Sequence, residues 1–186
     1  VKYISFLFLF IFVFTGINCG KKSDETNNQT SSGKTGFTWK DNLALSDIPD
    51  SPVKGILNGK EITFYYINFE KWRGSHDNVL SFSVNKPEQP CGFIENFKGF
   101  QLINKGNAIQ GEYIKAKFDN ESASYSAYFK YNATDGSPVK SNAPWNCALK
   151  IDNINDKIVS GRIAISFNDD KKSWVAGKFE ASICNN

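Results

Sequence analysis

The stretch SASYSAYFKYN, Ser122–Asn132, decides the fold. Ala123, Tyr125, Ala127, Phe129 and Tyr131 fall on one side of it, Ser124, Ser126, Tyr128 and Lys130 on the other. Successive side chains of a strand leave by opposite faces, so a period of two marks a strand with one face buried. The same reading extends in both directions. Val79–Asn85 places Leu80, Phe82 and Val84 on one face and Ser81 and Ser83 on the other. Gln110–Phe118 directs Ile114, Ala116 and Phe118 inward and Lys115 and Lys117 outward. Cys147, Leu149 and Ile151 share one phase, and Val159, Gly161, Ile163, Ile165 and Phe167 share the next. Val175, Gly177, Phe179, Ala181 and Ile183 repeat it. Ile62–Phe69 (ITFYYINF) is apolar on both faces, which suits a central strand, and Phe97–Asn104 is a further run weakened by Gly99.

Asn58-Gly59, Asn155-Asp156 and Asn168-Asp169-Asp170 carry turn chemistry, and Ala133–Pro144 reads as a polar loop. The rival to this strand pattern is a buried helix over Phe93–Ile103. The expected fold is all-β, an antiparallel β-sandwich or barrel of about eight strands over residues 37–186. Phe37–Val53 leads into it. Trp39 and Leu43 are placed to dock on the domain, while Pro49 and Pro52 discourage regular structure.

Ahead of the domain, Lys2 precedes the apolar run ISFLFLFIFVF, Ile4–Phe14. A spanning helix needs roughly 20 apolar residues; this run has the length of a signal-peptide core. Thr15-Gly16-Ile17-Asn18-Cys19-Gly20-Lys21-Lys22 then resembles the lipobox of bacterial lipoproteins. Asn18 is as in the looser lipoboxes of spirochaetal and some Bacteroidetes lipoproteins, while Gly16 departs from the Leu-like residue usual there. The resemblance implies a signal peptide over 1–18 and a palmitate-type lipid on Cys19, the one covalent group implied. It also implies attachment to the outer membrane, on its surface or periplasmic face. Gly20–Gly36 (GKKSDETNNQTSSGKTG) has no large apolar residue to offset its ordering entropy, so 19–36 is expected to be a disordered tether. Leu149–Phe167 (LKIDNINDKIVSGRIAISF), with Gly111-Glu112-Tyr113, is similar to small Bacteroidetes-type lipoproteins of unknown function. That similarity implies a compact β fold and the anchor, and carries over no activity.

The net charge of +3 comes without a basic block or Arg-rich stripe, so nucleic acid is not an expected partner. Setting Cys19 aside leaves Cys91, Cys147 and Cys184, an odd number in an exported chain where a disulfide is expected. If the strands follow one another as hairpins, their connections alternate between two ends of the domain. Cys91 and Cys184 then share an end and Cys147 opens its strand at the other. Opposite ends of an eight-residue strand lie over roughly 20 Å apart, and a bridge needs Cα atoms within about 7 Å. The expectation is a Cys91–Cys184 disulfide with Cys147 a buried free thiol. One parallel crossover, through Ala133–Pro144 for instance, would invert the parity.

Chemistry is sparse. His76 is the single histidine, and Ser75, His76 and Asp77 are consecutive, which does not by itself make a catalytic geometry. Zinc sites draw on several Cys or His ligands, so no metal site is expected; Asp169 and Asp170 suit a turn better than a calcium loop. No Gly-rich phosphate loop, H-E-x-x-H or G-x-S-x-G is present. The candidate binding residues are Trp72, Arg73, His76 and Trp145, residue types that include those enriched at hot spots, expected together on one end. Trp174 and Tyr128, in the outward phase, form an exposed patch or lie under the lead-in. The expected function is a membrane-anchored, non-enzymatic binding or adhesion module for protein or glycan. The alternatives are a structural or accessory subunit of an envelope complex and a secreted hydrolase, which would need acidic residues clustered in a groove.

Overall fold

A computed structural model describes residues 36–106, 111–119 and 122–184. The expected signal segment, Cys19 and the tether up to residue 35 lie outside the described residues. After a 3-10 turn at Leu45–Asp47 come eleven strands: β1 (Lys54–Leu57), β2 (Lys60–Thr63), β3 (Tyr66–Lys71), β4 (Asn78–Ser83), β5 (Gly99–Asn104), β6 (Glu112–Asp119), β7 (Tyr125–Asn132), β8 (Pro138–Ser141), β9 (Trp145–Ile154), β10 (Ile158–Phe167) and β11 (Trp174–Cys184). Nine of them form one sheet in the order β6-β9-β10-β11-β3-β4-β5-β7-β8, curled into a half-barrel. The β1–β2 hairpin joins it through β1, which pairs with β11.

The fold is all-β, as the alternation predicts, with two corrections. The sheet is mixed, because β11 and β3 run parallel through Ser182↔Asn68, Ile183↔Phe69 and Cys184↔Glu70. Eleven strands replace about eight: β1 is added, ITFYYINF breaks at Phe64–Tyr65 into β2 and β3, and the polar loop contains β8. The run Phe93–Ile103 contains β5 and no helix.

The concave face holds the core. Phe82 packs at 5.2 Å from Phe100 and 5.4 Å from Phe179, and Phe129 at 4.9 Å from Phe167. Leu80, Ile163 and Val175 fill between them. Each such side chain, fully buried, contributes about 1.5–3 kcal/mol. On the convex face of β9, β10 and β11, Ala148, Ala164 and Ala176 leave a shallow surface where Phe37, Leu43 and Ile48 of the lead-in are buried. Phe37 covers Trp174 at 5.0 Å. Trp39 donates Nε1–H to the Phe167 carbonyl at 2.8 Å and stacks on Phe118. Lys40, followed by the Ala44 N–H, holds the Asp47 carboxyl below its ordinary pKa.

One strand has the opposite phase to the expected one. On β6, Lys115 is buried and Ile114 is 53% exposed. Lys115 Nζ donates to the carbonyls of Lys117, Trp145 and Asp119, pairs with the Asp119 carboxylate at 2.5 Å, and lies 4.6 Å from the Trp145 ring centre. The β6–β9 register slips between Lys115 and Asp119, leaving carbonyls free to accept from an ammonium. Burial of a charge is tolerated when it is paired and hydrogen-bonded in this way. Cys147 faces Lys115 across the ladder and is fully buried. Burial pushes its thiol well above the ordinary range, the Lys115 ammonium opposing this more weakly.

Gly177 is where the lead-in crosses β11. Lys178 N–H donates to Ser51 and its carbonyl accepts from Val53 N–H, each at 2.8 Å. Gly177 has φ +137, and a Cβ there would sit 2.6 Å from Val53 Cα. Gly177→Val combines backbone strain with overpacking and is expected to lower stability by at least about 2 kcal/mol in urea unfolding; an unchanged midpoint would contradict this crossing. For Cys147, native protein incubated with iodoacetamide at pH 8 should remain unalkylated at this residue, labelling only once urea unfolds it.

Candidate functional site: a cleft roofed by a disulfide-tied loop

The convex face of β3, β4, β5 and β7 carries a polar row beside a small apolar cluster of Val79, Ile103 and Tyr128. Alternation places Asn68, Ser81, Gln101 and Tyr128 on it, and the register lines them up as one row: Asn68↔Ser81↔Gln101↔Tyr128. The row is wired. The Tyr128 hydroxyl donates to Gln101 Oε1, and Gln101 Nε2 donates to Ser81 Oγ at 2.7 Å. Burial holds the Tyr128 hydroxyl above its ordinary pKa. Asn68 is 7% and Ser81 3% exposed. Asn68 Oδ1 ends the row as a buried oxygen with no hydrogen-bond partner. Buried polar atoms are nearly always paired; of the six described side-chain atoms that are not, Asn104 Oδ1 and Asn146 Oδ1 among them, Asn68 Oδ1 is the one whose residue lines a cleft.

The chain between β4 and β5 folds over this row instead of turning away. Val84 N–H donates to Lys98 O and Asn85 Nδ2 to Asn96 O, closing the neck of the loop. Cys91, at its far point, is bonded to Cys184 at the end of β11, with a Cα separation of 5.3 Å. Cys91 N–H also donates to the Tyr66 hydroxyl at 3.0 Å. Cys91 and Asn96 take positive φ, which lets the loop reverse twice within a few residues.

Between roof and floor lies a cleft of about 290 Å³ that includes Asn68, Glu70, Trp72, Phe97, Gln101 and Tyr128 in its lining. Glu70 Oε1 accepts from Trp72 Nε1 at 2.9 Å, and Lys130 Nζ lies 5.9 Å from both the Phe97 and Tyr128 rings. On the other side of the roof is a wider hollow of about 930 Å³, lined among others by Tyr65, Lys86, Glu88 and Glu95. Gly92 and Phe93 border both spaces, and Phe93 is 88% exposed.

Of the four candidate binding residues, Trp72 lines the cleft, packed beside Val79, Ile103 and Tyr128. Arg73 and His76 are exposed in the following turn, closed by Trp72 N–H to Asp77 O and His76 N–H to Trp72 O. Ser75 Oγ accepts from the Asp77 backbone N–H, a turn contact that lacks the geometry of a triad. Trp145 is removed from the group. It is buried in the core, and β9 runs in the direction of β3, so Trp145 at its start lies at the opposite end from Trp72. Trp174 is covered by the lead-in, and Tyr128 is buried in the cleft floor. Asp169 closes its own turn through Ser173 N–H and Oγ, both at 2.6 Å. Among the described residues no three His, Cys, Asp or Glu side chains cluster as metal ligands would.

The disulfide is the expected pair, but by another route. β6 and β7 run the same way along the sheet, and so do β8 and β9, so β7, β9, β10 and β11 are each reversed relative to the expected succession in which 133–144 is one connection. β11 therefore ends level with Glu70 of β3, and Cys91 reaches it because its loop folds back over the sheet. Cys147 is the free thiol. Of Asn68, Ser81 and Gln101, the sequence assigns an outward phase to Ser81 alone; Asn68 lies in a run that reads as apolar on both faces, and Gln101 in one with no face assigned. Their alignment required the register.

Reducing the bridge releases the roof. Cys91→Ser with Cys184→Ser should raise hydrogen exchange over 86–98 while the amides of β4 and β5 keep their protection. Loss of a 93-residue closed loop should cost on the order of 4 kcal/mol at most. Uniform loss of protection across the sheet would contradict a roof that is separable from its floor.

In the three comparisons made, no protein-family model, no curated protein and no solved structure matches the chain.

Proposed function

We propose that this chain is a cell-envelope lipoprotein, anchored through acyl chains on Cys19, whose folded domain is a non-enzymatic binding module with the roofed cleft as its site. The observation that carries the binding role is the cleft itself, a cavity that a disulfide holds under a loop and whose floor is a wired polar row ending in Asn68 Oδ1, a buried acceptor without a partner. The anchor rests on the lipobox-like Thr15–Lys22 and the polar tether behind it. Two acyl chains hold a protein at a bilayer without a spanning helix, at about 0.8 kcal/mol per buried methylene.

Cys19→Ser should move the chain from the membrane to the soluble fraction, and the native N-terminal peptide should carry a fatty adduct by mass spectrometry. An unmodified thiol would overturn the anchor and leave plain secretion. The released chain, titrated with separated glycan, peptide and lipid fractions of the envelope, should show a tryptophan fluorescence change with one of them, abolished by Asn68→Leu. Silence with all three would overturn the binding role.

A further inference from the structure

We infer that the ligand of the cleft is a neutral saccharide, one sugar ring over the Asn68–Tyr128 row and its neighbour lying past Phe93 toward the wider hollow. This rests on the cleft being a binding site and names what it takes. The first argument is backbone bonding. β3, β4, β5 and β7 each have neighbours on both sides, so their ladders are occupied and no extended peptide can add to them. Recognition falls to side chains.

Those side chains are Asn, Ser, Gln and Tyr, uncharged and each able to donate and accept. The wiring fixes what is left over. Ser81 Oγ accepts from Gln101, so its own proton is free to donate. Opposite it on the neighbouring strand, Asn68 Oδ1 is free only to accept. A hydroxyl serves both from a single atom, accepting from Ser81 and donating to Asn68, as a water molecule can. Adjacent hydroxyls repeat that chemistry along a sugar ring.

The flanks fit the same ligand. Trp72 and Phe97 border the row with aromatic surface, whose electron-rich faces suit the C–H faces of a pyranose, while the Tyr128 ring is covered by Lys140 Nζ at 3.8 Å. Glu70 and Lys130, of opposite sign, line the cleft. Glu70 already accepts from Trp72 Nε1, and the Lys130 and Lys140 ammonium groups face aromatic rings. The charges are engaged within the protein, which leaves the neutral row as the recognition surface. A volume of about 290 Å³ sits at the bottom of the range for small-molecule pockets, which suits one ring. The shared Gly92–Phe93 border lets a chain continue into the second space, with the exposed Phe93 ring as the step between.

The test uses the Cys19→Ser chain on a printed array of neutral and acidic oligosaccharides, with a random peptide library in parallel. The strongest array hit and its monosaccharide are then titrated calorimetrically. Neutral glycans are expected to bind. Asn68→Leu and Gln101→Leu should each weaken the hit about tenfold or more, with circular dichroism unchanged. Phe93→Ala should weaken the oligosaccharide and leave the monosaccharide within about twofold. Binding confined to acidic glycans overturns the inference, as does neutral binding indifferent to Asn68 and Gln101. Peptide binding lost in Asn68→Leu, without glycan binding, overturns the saccharide and leaves the module standing. No ligand of any kind sensitive to these residues overturns both.

Discussion

The hydrogen-bond ladder of this sheet is continuous through three residue pairs. β6, β9, β10 and β11 form one antiparallel set, β3, β4, β5, β7 and β8 another. Their side chains share one core, but among the described residues their backbones pair only where Ser182–Cys184 runs parallel to Asn68–Glu70. Parallel pairing is slightly weaker per residue than antiparallel, and three pairs are a short seam. The seam is reinforced from both faces. Ile183 and Phe69 pack against the core on the concave side, and Cys184 is bonded to Cys91 on the convex side. Asn68, the open end of the polar row, belongs to this seam, so the site and the closure of the fold depend on the same few residues.

The roof follows from the seam. A loop of this length with two prolines and exposed Phe93 has little burial of its own to hold it over a sheet. The bridge, the Tyr66 hydroxyl and the neck at Val84 and Lys98 fix it at three points. Beneath it Ser81 and Ser83 are buried without being apolar, which a roof makes tolerable because it brings its own partners, as Asn85 N–H does for Ser83 Oγ.

Much of the fold was legible in the sequence because strand phase is a local property. Leu80, Phe82 and Phe129 face the core as their alternation requires, and Trp39 and Leu43 dock as their bulk suggests. Direction and register are not local. Nothing in residues 112–132 signals that β6 and β7 run the same way, and that fact reverses β7, β9, β10 and β11 relative to the expected succession. Lys115 misled for a different reason. Its charge points outward by rule, but a slipped ladder offered three carbonyls and a carboxylate, and the buried location won. The candidate site was legible only at Trp72. Asn68, Ser81 and Gln101 are ordinary polar residues until three strands are laid side by side.

The position of the cysteines along the chain has a consequence for how the molecule is made. Cys147 is synthesised after Cys91 and before Cys184, so the first thiol to follow Cys91 along the chain is the wrong one. The native bond waits for the final strand, and until then β9 must be seated with its sulfur inside the core to keep it out of reach. A ribosome or translocon delivering this chain slowly into an oxidising space therefore exposes an error that a chain delivered whole would avoid.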